Sequence, residues 1–149
     1  VSAQLIAQMR AARTTWVDLG DGVAVAVIRP SEMEMAPFIR RLFIAGEAVP
    51  DAELCYRWVT GWRGVTEATL LGDGLGSSSP APWSADLWAE VVADRREWSS
   101  KAAQAVVDAM QAHLAAKVST AGKSSGSSTN SPTGSYSATT DPSPATPSA

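Results

Sequence analysis

Apolar side chains recur through the first 118 or so residues in two distinct rhythms, and after Val118 they all but stop. In residues 2–13, Leu5, Ile6 and Met9 stand at helical spacing among Gln and Arg, which predicts a short amphipathic helix. The rhythm then shortens. Thr14 to Leu19 and Val23 to Ile28 are β-prone runs on either side of Gly20-Asp21-Gly22, the composition of a tight hairpin turn. In the second run Val23, Val25 and Val27 alternate with Ala24 and Ala26, so the bulky face is expected to look inward.

Helical spacing returns after Pro30. Ser31-Glu32-Met33-Glu34 matches a capping box, although Pro37, which removes a hydrogen bond inside a helix, would let the regular helix begin at Pro37 itself. Phe38, Ile39, Leu42 and Phe43 form its apolar stripe, and Gly46 stops it. From Pro50-Asp51 onward, Leu54, Trp58, Val59 and Trp62 fall three or four residues apart. That predicts a helix reaching Gly61 or Gly64, with Trp58 and Trp62 on one face. Residues 69–82 read as a Gly/Ser/Pro connection. Ser84 then caps a helix that turns Leu87, Trp88, Val91, Val92 and Trp98 inward, and a last helix covers about 100–118. The expected class is α+β, mainly α: an N-terminal β-hairpin packed with about four helices in a small domain over 1–118. Residues 119–149 are expected to be a disordered tail, because Tyr136 is the one sizeable apolar side chain among Ser, Thr, Pro, Gly and Ala and burial cannot offset ordering entropy.

Charge and composition narrow the classes of function. The net charge is −3 with both signs interspersed, so no broad positive field is laid out for nucleic acid. Arg40-Arg41, near Glu32 and Glu34, reads as a solvated helix face. A single cysteine and a single histidine exclude an intramolecular disulfide framework and a conventional Cys/His zinc site, and a reducing cytosol is expected. Gln8, Arg10 and Arg13 interrupt the N-terminal apolar residues, so neither a signal-peptide core nor a spanning helix is expected.

The residues that could carry chemistry lack its context. His113 has no Ser, Cys or carboxylate at a motif spacing, and Cys55 sits between Leu54 and Tyr56 as a small core residue would. Gly72-Asp73-Gly74-Leu75-Gly76 lacks the Lys-Ser/Thr of a phosphate-binding loop and reads as a flexible connection. No catalytic residue, metal ligand or cofactor is expected, and the chain reads as a non-enzyme. The six tryptophans, Trp16, Trp58, Trp62, Trp83, Trp88 and Trp98, serve first as large core rings beside many alanines. The alternative is an aromatic partner-binding patch, for which Trp58, Trp62 and Trp83 are the candidates, Trp83 being the first expected at the surface.

Three stretches together resemble the tail assembly chaperones of long-tailed bacteriophages and related prophages or gene transfer agents. They are Phe38-Ile39-Arg40-Arg41-Leu42, Trp58-Val59-Thr60-Gly61-Trp62-Arg63-Gly64-Val65, and the Trp-rich segment from Pro82-Trp83-Ser84 through Leu87-Trp88 to Asp94-Arg95. The likeness covers roughly residues 15–118. It implies a non-enzymatic protein of the infected cell's cytoplasm, absent from the finished virion, that keeps the tape-measure protein soluble and brings tail-tube subunits to it. Neither nucleic acid nor membrane is an expected partner, and self-association as a homo-oligomer stays open. Many such chaperones also have a frameshifted longer form, and Gly122-Lys123 is compatible with a slippery heptamer there. Two other classes stay open: a phage structural or head–tail connector protein, and an uncharacterised small enzyme.

Overall fold

The strand with the small-and-bulky alternation sits in the middle of a three-stranded antiparallel sheet. In the computed structural model, which describes residues 1–72 and 74–139 and side chains through residue 121, β1 (Thr14–Gly20) and β3 (Val59–Arg63) flank β2 (Val23–Ile28). The two-residue link Asp21-Gly22 has φ of +53° and +77°, the doubly left-handed turn whose twist matches that of the strands it joins. Opposite residues form rows across the sheet: Trp16, Ala26 and Gly61 in one, Val17, Val25 and Trp62 in the next. Val23, Val25 and Val27 are buried, and so are Ala24 and Ala26, so both faces of β2 are covered and not the bulky one alone. On the valine side, Thr15, Val17 and Val27 share a cavity wall with Ala105 and Ala109.

Among the described residues six α-helices stand where about four were expected, with revised bounds. They are α1 (Ser2–Ala12), α2 (Glu32–Ile39), α3 (Asp51–Trp58), a short α4 (Glu67–Leu71) that the apolar pattern did not predict, α5 (Ala85–Asp94) and α6 (Arg96–Thr139). The mainly helical α+β class holds. Ser31 and Glu34 make both bonds of the capping box, at 3.0 and 3.3 Å, so α2 starts at Glu32 and encloses Pro37 instead of starting there. The chain then widens into one π turn, Arg40–Ile44, closed by Ala45 N–H onto the Arg40 carbonyl at 2.8 Å. The expected apolar stripe splits across it: Phe38 is buried, Ile39 and Leu42 half-buried, and Phe43 exposed.

The second predicted helix stops early. α3 ends at Trp58, Val59 turns extended (φ −98°, ψ +126°), and the Val-Thr-Gly-Trp-Arg run becomes β3. β-Branched and glycine residues weaken helix continuation by up to about 1 kcal/mol each. The open edge of β2 supplies hydrogen bonds in exchange. Trp98 likewise belongs to α6, which begins at Arg96 and not near residue 100.

Residues 69–82 are not one open connection. Thr66 and Thr69 cap α4 reciprocally, and the loop after it folds back, with Ala68 N–H on the Ser77 carbonyl at 3.0 Å and Ala81 N–H on the Val65 carbonyl at 2.9 Å. Glu67 accepts both the N–H and the hydroxyl of Ser77. Asp73 lies outside the described residues.

Two compact units separate between Met110 and Gln111. The first holds the sheet, α1 to α5 and the start of α6, where Val106 and Met110 are fully buried. In the second, backbone helix runs to Thr139, and residues 140–149 of the expected tail lie outside the described residues. Among the described residues no helix is long and apolar enough to cross a membrane.

One glycine locks the third strand to the hairpin turn. Gly64 has φ +77°, and a Cβ placed on it would collide with the carbonyl oxygen of Gly22. Gly46 has a similar φ of +66° with open space around it. Gly64→Ala is therefore expected to lower unfolding free energy by about 3 kcal/mol or more. Gly46→Ala should cost about 1 kcal/mol, the left-handed strain alone. Urea denaturation of the two variants separates collision from strain, and equal costs would show that the Gly22 contact carries no weight.

Candidate partner-binding surface

The three tryptophans singled out from the sequence come from three different settings. Trp58, the last residue of α3, is 2% exposed, meets Phe38 edge-on with centroids 4.8 Å apart, and lies 4.9 Å from the Arg57 guanidinium. Trp62 is a strand residue on β3. Trp58 and Trp62 therefore do not share a helix face, because the helix ends between them. Trp62 is half-buried beside Val25, donates its Nε1–H to the Ala81 carbonyl at 2.7 Å, and meets Trp88 edge-on at 6.2 Å. Trp83 is half-buried too, and its Nε1–H is enclosed with no acceptor among the described residues.

Trp16, not Trp83, is the most exposed of the six, at 44%. Its row partners Ala26 and Gly61 are small, which leaves room for the indole to lie across the sheet, and Arg63 stacks on it at 4.4 Å.

The largest run of uncovered apolar side chains is on α1. None of its 11 residues is buried, and Leu5, Ile6 and Met9 are each more than half exposed. An amphipathic helix whose apolar side stays in water has found no partner within the described residues.

Beside that helix lies a feature that the linear sequence hid. Arg10, Arg13, Arg29 and Arg57 line one cavity of about 230 Å³ with Ile28, Glu34, Trp58 and Thr60. Among the described residues that line it, Glu34 is the single carboxylate. Hydrogen bonds from Ser31 hold its pKa below the usual carboxylate value, with Arg57 and Arg13 adding to the effect. Arg10 and Arg13 stand at the end of α1, Arg29 follows β2 and Arg57 lies in the last turn of α3, so no local charge run announced them. Arg41, from the pair read as solvated, instead ties the π turn to α3 through Glu53 at 2.9 Å and to Glu47 at 3.5 Å.

The reactive residue types sit as follows. Cys55 is fully buried and donates its thiol to the Ser99 carbonyl at 3.2 Å, and burial pushes its pKa up from 9.0 to about 11. His113 is half-buried and lies beside Ala116, Lys117 and Thr120 in the second unit. Among the described residues, no three His, Cys, Asp or Glu side chains gather to hold a metal ion. No family model, curated protein or solved structure matches the chain.

Two expectations follow. Trp83→Phe removes an enclosed N–H that has no acceptor and should leave the melting temperature unchanged or raise it, whereas Trp62→Phe loses a 2.7 Å bond and should cost about 1 kcal/mol. A larger loss in Trp83→Phe than in Trp62→Phe would contradict this assignment of the two rings.

The raised thiol pKa also has a sign. Above pH 9 the unfolded thiol ionises while the folded one keeps its proton, so stability is complete below about pH 9 and falls toward pH 11. The loss due to the thiol should approach about 2 kcal/mol, so Cys55→Ala should lose less than the wild type by about that amount when each protein is compared with its own stability at pH 8. Chemical denaturation across that range checks it.

Proposed function

We propose that the folded domain is a non-catalytic protein-binding module that serves as a phage-type tail assembly chaperone. In this reading it works in the host-cell cytoplasm, keeps the tape-measure protein soluble and brings tail-tube subunits to it. The observation that carries the protein-binding part is α1: an 11-residue helix with Leu5, Ile6 and Met9 at 54%, 51% and 67% exposure and no buried residue. An apolar face of this kind is the material from which partner contacts are made. The chaperone part is supported by the likeness of the Trp-Arg-Gly-Val and Trp-rich segments.

Co-expression with a phage tape-measure protein tests the reading. The tape measure should move into the soluble fraction and co-purify. Leu5→Ser/Met9→Ser should lose that effect while its melting temperature changes little, since neither side chain is buried. If the tape measure stays insoluble and the chain alone forms a closed ring, a head–tail connector replaces the chaperone.

A further inference from the structure

The arginine-lined cavity and the uncovered side of α1 are parts of one surface. At about 100° per residue, Leu5, Met9, Arg13, Ile6 and Arg10 fall in that order within an arc of about 140°. The helix thus presents an aliphatic stretch that passes into Arg10 in its last turn and Arg13 at its C-cap. Arg29 follows β2 and Arg57 lies in the last turn of α3, and both join Arg10 and Arg13 at the cavity.

The charge there is only partly answered. Arg57 pairs with Glu34 at 3.8 Å, and Glu34 also accepts the Ser31 N–H. Arg13 and Arg29 each donate to a backbone carbonyl, of Arg29 at 3.4 Å and of Pro30 at 2.8 Å. A guanidinium has five N–H donors, so most remain available. The carboxyl ends of α1 and α3 both point here and carry roughly half a negative charge each, while the amino end of α2 contributes about half a positive one. After Glu34 and these dipoles, an excess of roughly two and a half positive charges is left.

We infer that this surface receives an acidic amphipathic segment of a partner protein, with aliphatic side chains over Leu5, Ile6 and Met9 and carboxylates on Arg10, Arg13, Arg29 and Arg57. The inference rests on the reading of α1 as a protein-binding face and adds the chemistry of what binds. A polypeptide fits better than a small anion for two reasons. Arg10 and Arg57 are exposed and Arg13 and Arg29 only half-buried, so the cavity is no closed cradle. Its margin is also continuous with an apolar stripe that a small anion would leave wet.

The test uses fluorescence anisotropy with the full chain and three probes. The first is a labelled helical peptide of about 20 residues with Leu at i, i+3, i+4 and i+7 and a Glu cluster at one end. The second carries Gln in place of each Glu, and the third is inorganic phosphate as competitor. The Glu peptide should bind about tenfold tighter than the Gln peptide, and the gap should close between about 50 and about 300 mM salt. Arg10→Gln/Arg29→Gln should erase the gap, and Leu5→Ser/Met9→Ser should weaken both peptides. Circular dichroism checks folding, and Arg10→Gln alone, at an exposed position, serves if the double variant unfolds. Equal binding of the two peptides, no binding of either, or indifference to the arginine substitutions overturns the proposal. Displacement of the Glu peptide by micromolar phosphate also overturns it, in favour of a small-anion site. If Arg10→Gln/Arg29→Gln still solubilises the tape measure, the acidic-segment proposal falls and the chaperone reading stands. If the wild-type chain binds the Glu peptide but solubilises nothing, the chaperone reading falls alone.

Discussion

The carbonyl of Cys55 accepts two donors at once: the Val59 N–H, which closes the last turn of α3, and the Trp88 indole N–H at 3.1 Å. Much of the packing depends on that double acceptance. It marks where the helix becomes a strand, and it sets α5 against α3 through a ring that is 1% exposed. A buried indole N–H left unpaired costs about 1–3 kcal/mol, so α5 has little freedom to slide. The thiol of the same cysteine reaches the Ser99 carbonyl, which brings the start of α6 to the same point. Trp88 in turn meets Trp62 edge-on, so β3 is held from the side as well as by its ladder with β2.

From this node the Trp-Arg-Gly-Val segment acquires a physical reading. Trp62 binds the Ala81 carbonyl, Gly64 fits against the Gly22 carbonyl where a Cβ would not, and Val65 is buried and pairs its own carbonyl with Ala81. Arg63, on the opposite side of the strand from Trp62, stacks on Trp16. Trp62, Gly64 and Val65 thus close the corner between the sheet and the segment that returns to Ala81, while Arg63 stacks on Trp16 on the other side of the sheet. The motif therefore describes architecture, and any partner contact has to be sought elsewhere on the surface.

Local chemistry was legible in the sequence wherever it was self-contained. Gly20-Asp21-Gly22, the Ser31/Glu34 box and the Ser84 cap each act within a few residues, and each forms as its residue types dictate. β3 escaped because Trp58 and Trp62 are four apart, a spacing that fits a helix, and the deciding influence was the free edge of β2, some thirty residues away in the chain. The arginine cavity escaped for a related reason. Its members, Arg10, Arg13, Arg29 and Arg57, are brought together by the hairpin and by the return of α3, and a net charge of −3 averages such a concentration away. Trp58 drew attention for its type, but type alone does not distinguish a core ring from a contact ring.

Under the proposal of an acidic partner segment, magnitudes decide how α1 and the arginines would divide the work of recognition. Leu5, Ile6 and Met9 are already partly covered, so full burial of all three adds roughly 3 kcal/mol, at about 1 kcal/mol each. Association costs at least about 4 kcal/mol in lost freedom, so the apolar stripe by itself cannot hold a partner. Ion pairs to arginines that are exposed or half-buried contribute about 0.2–1 kcal/mol apiece, so three or four of them are needed to move the balance to net binding. An isolated helix of 11 residues is marginal in water, and α1 is joined to the sheet by the Thr14 hydroxyl onto the Arg10 carbonyl at 2.8 Å and, just past its end, by Arg29 N–H onto the Arg13 carbonyl at 2.8 Å. A partner that covers the stripe thus also stabilises the helix that displays it. In such an arrangement the arginines select the segment by charge, and the aliphatic contacts convert that encounter into a longer-lived complex.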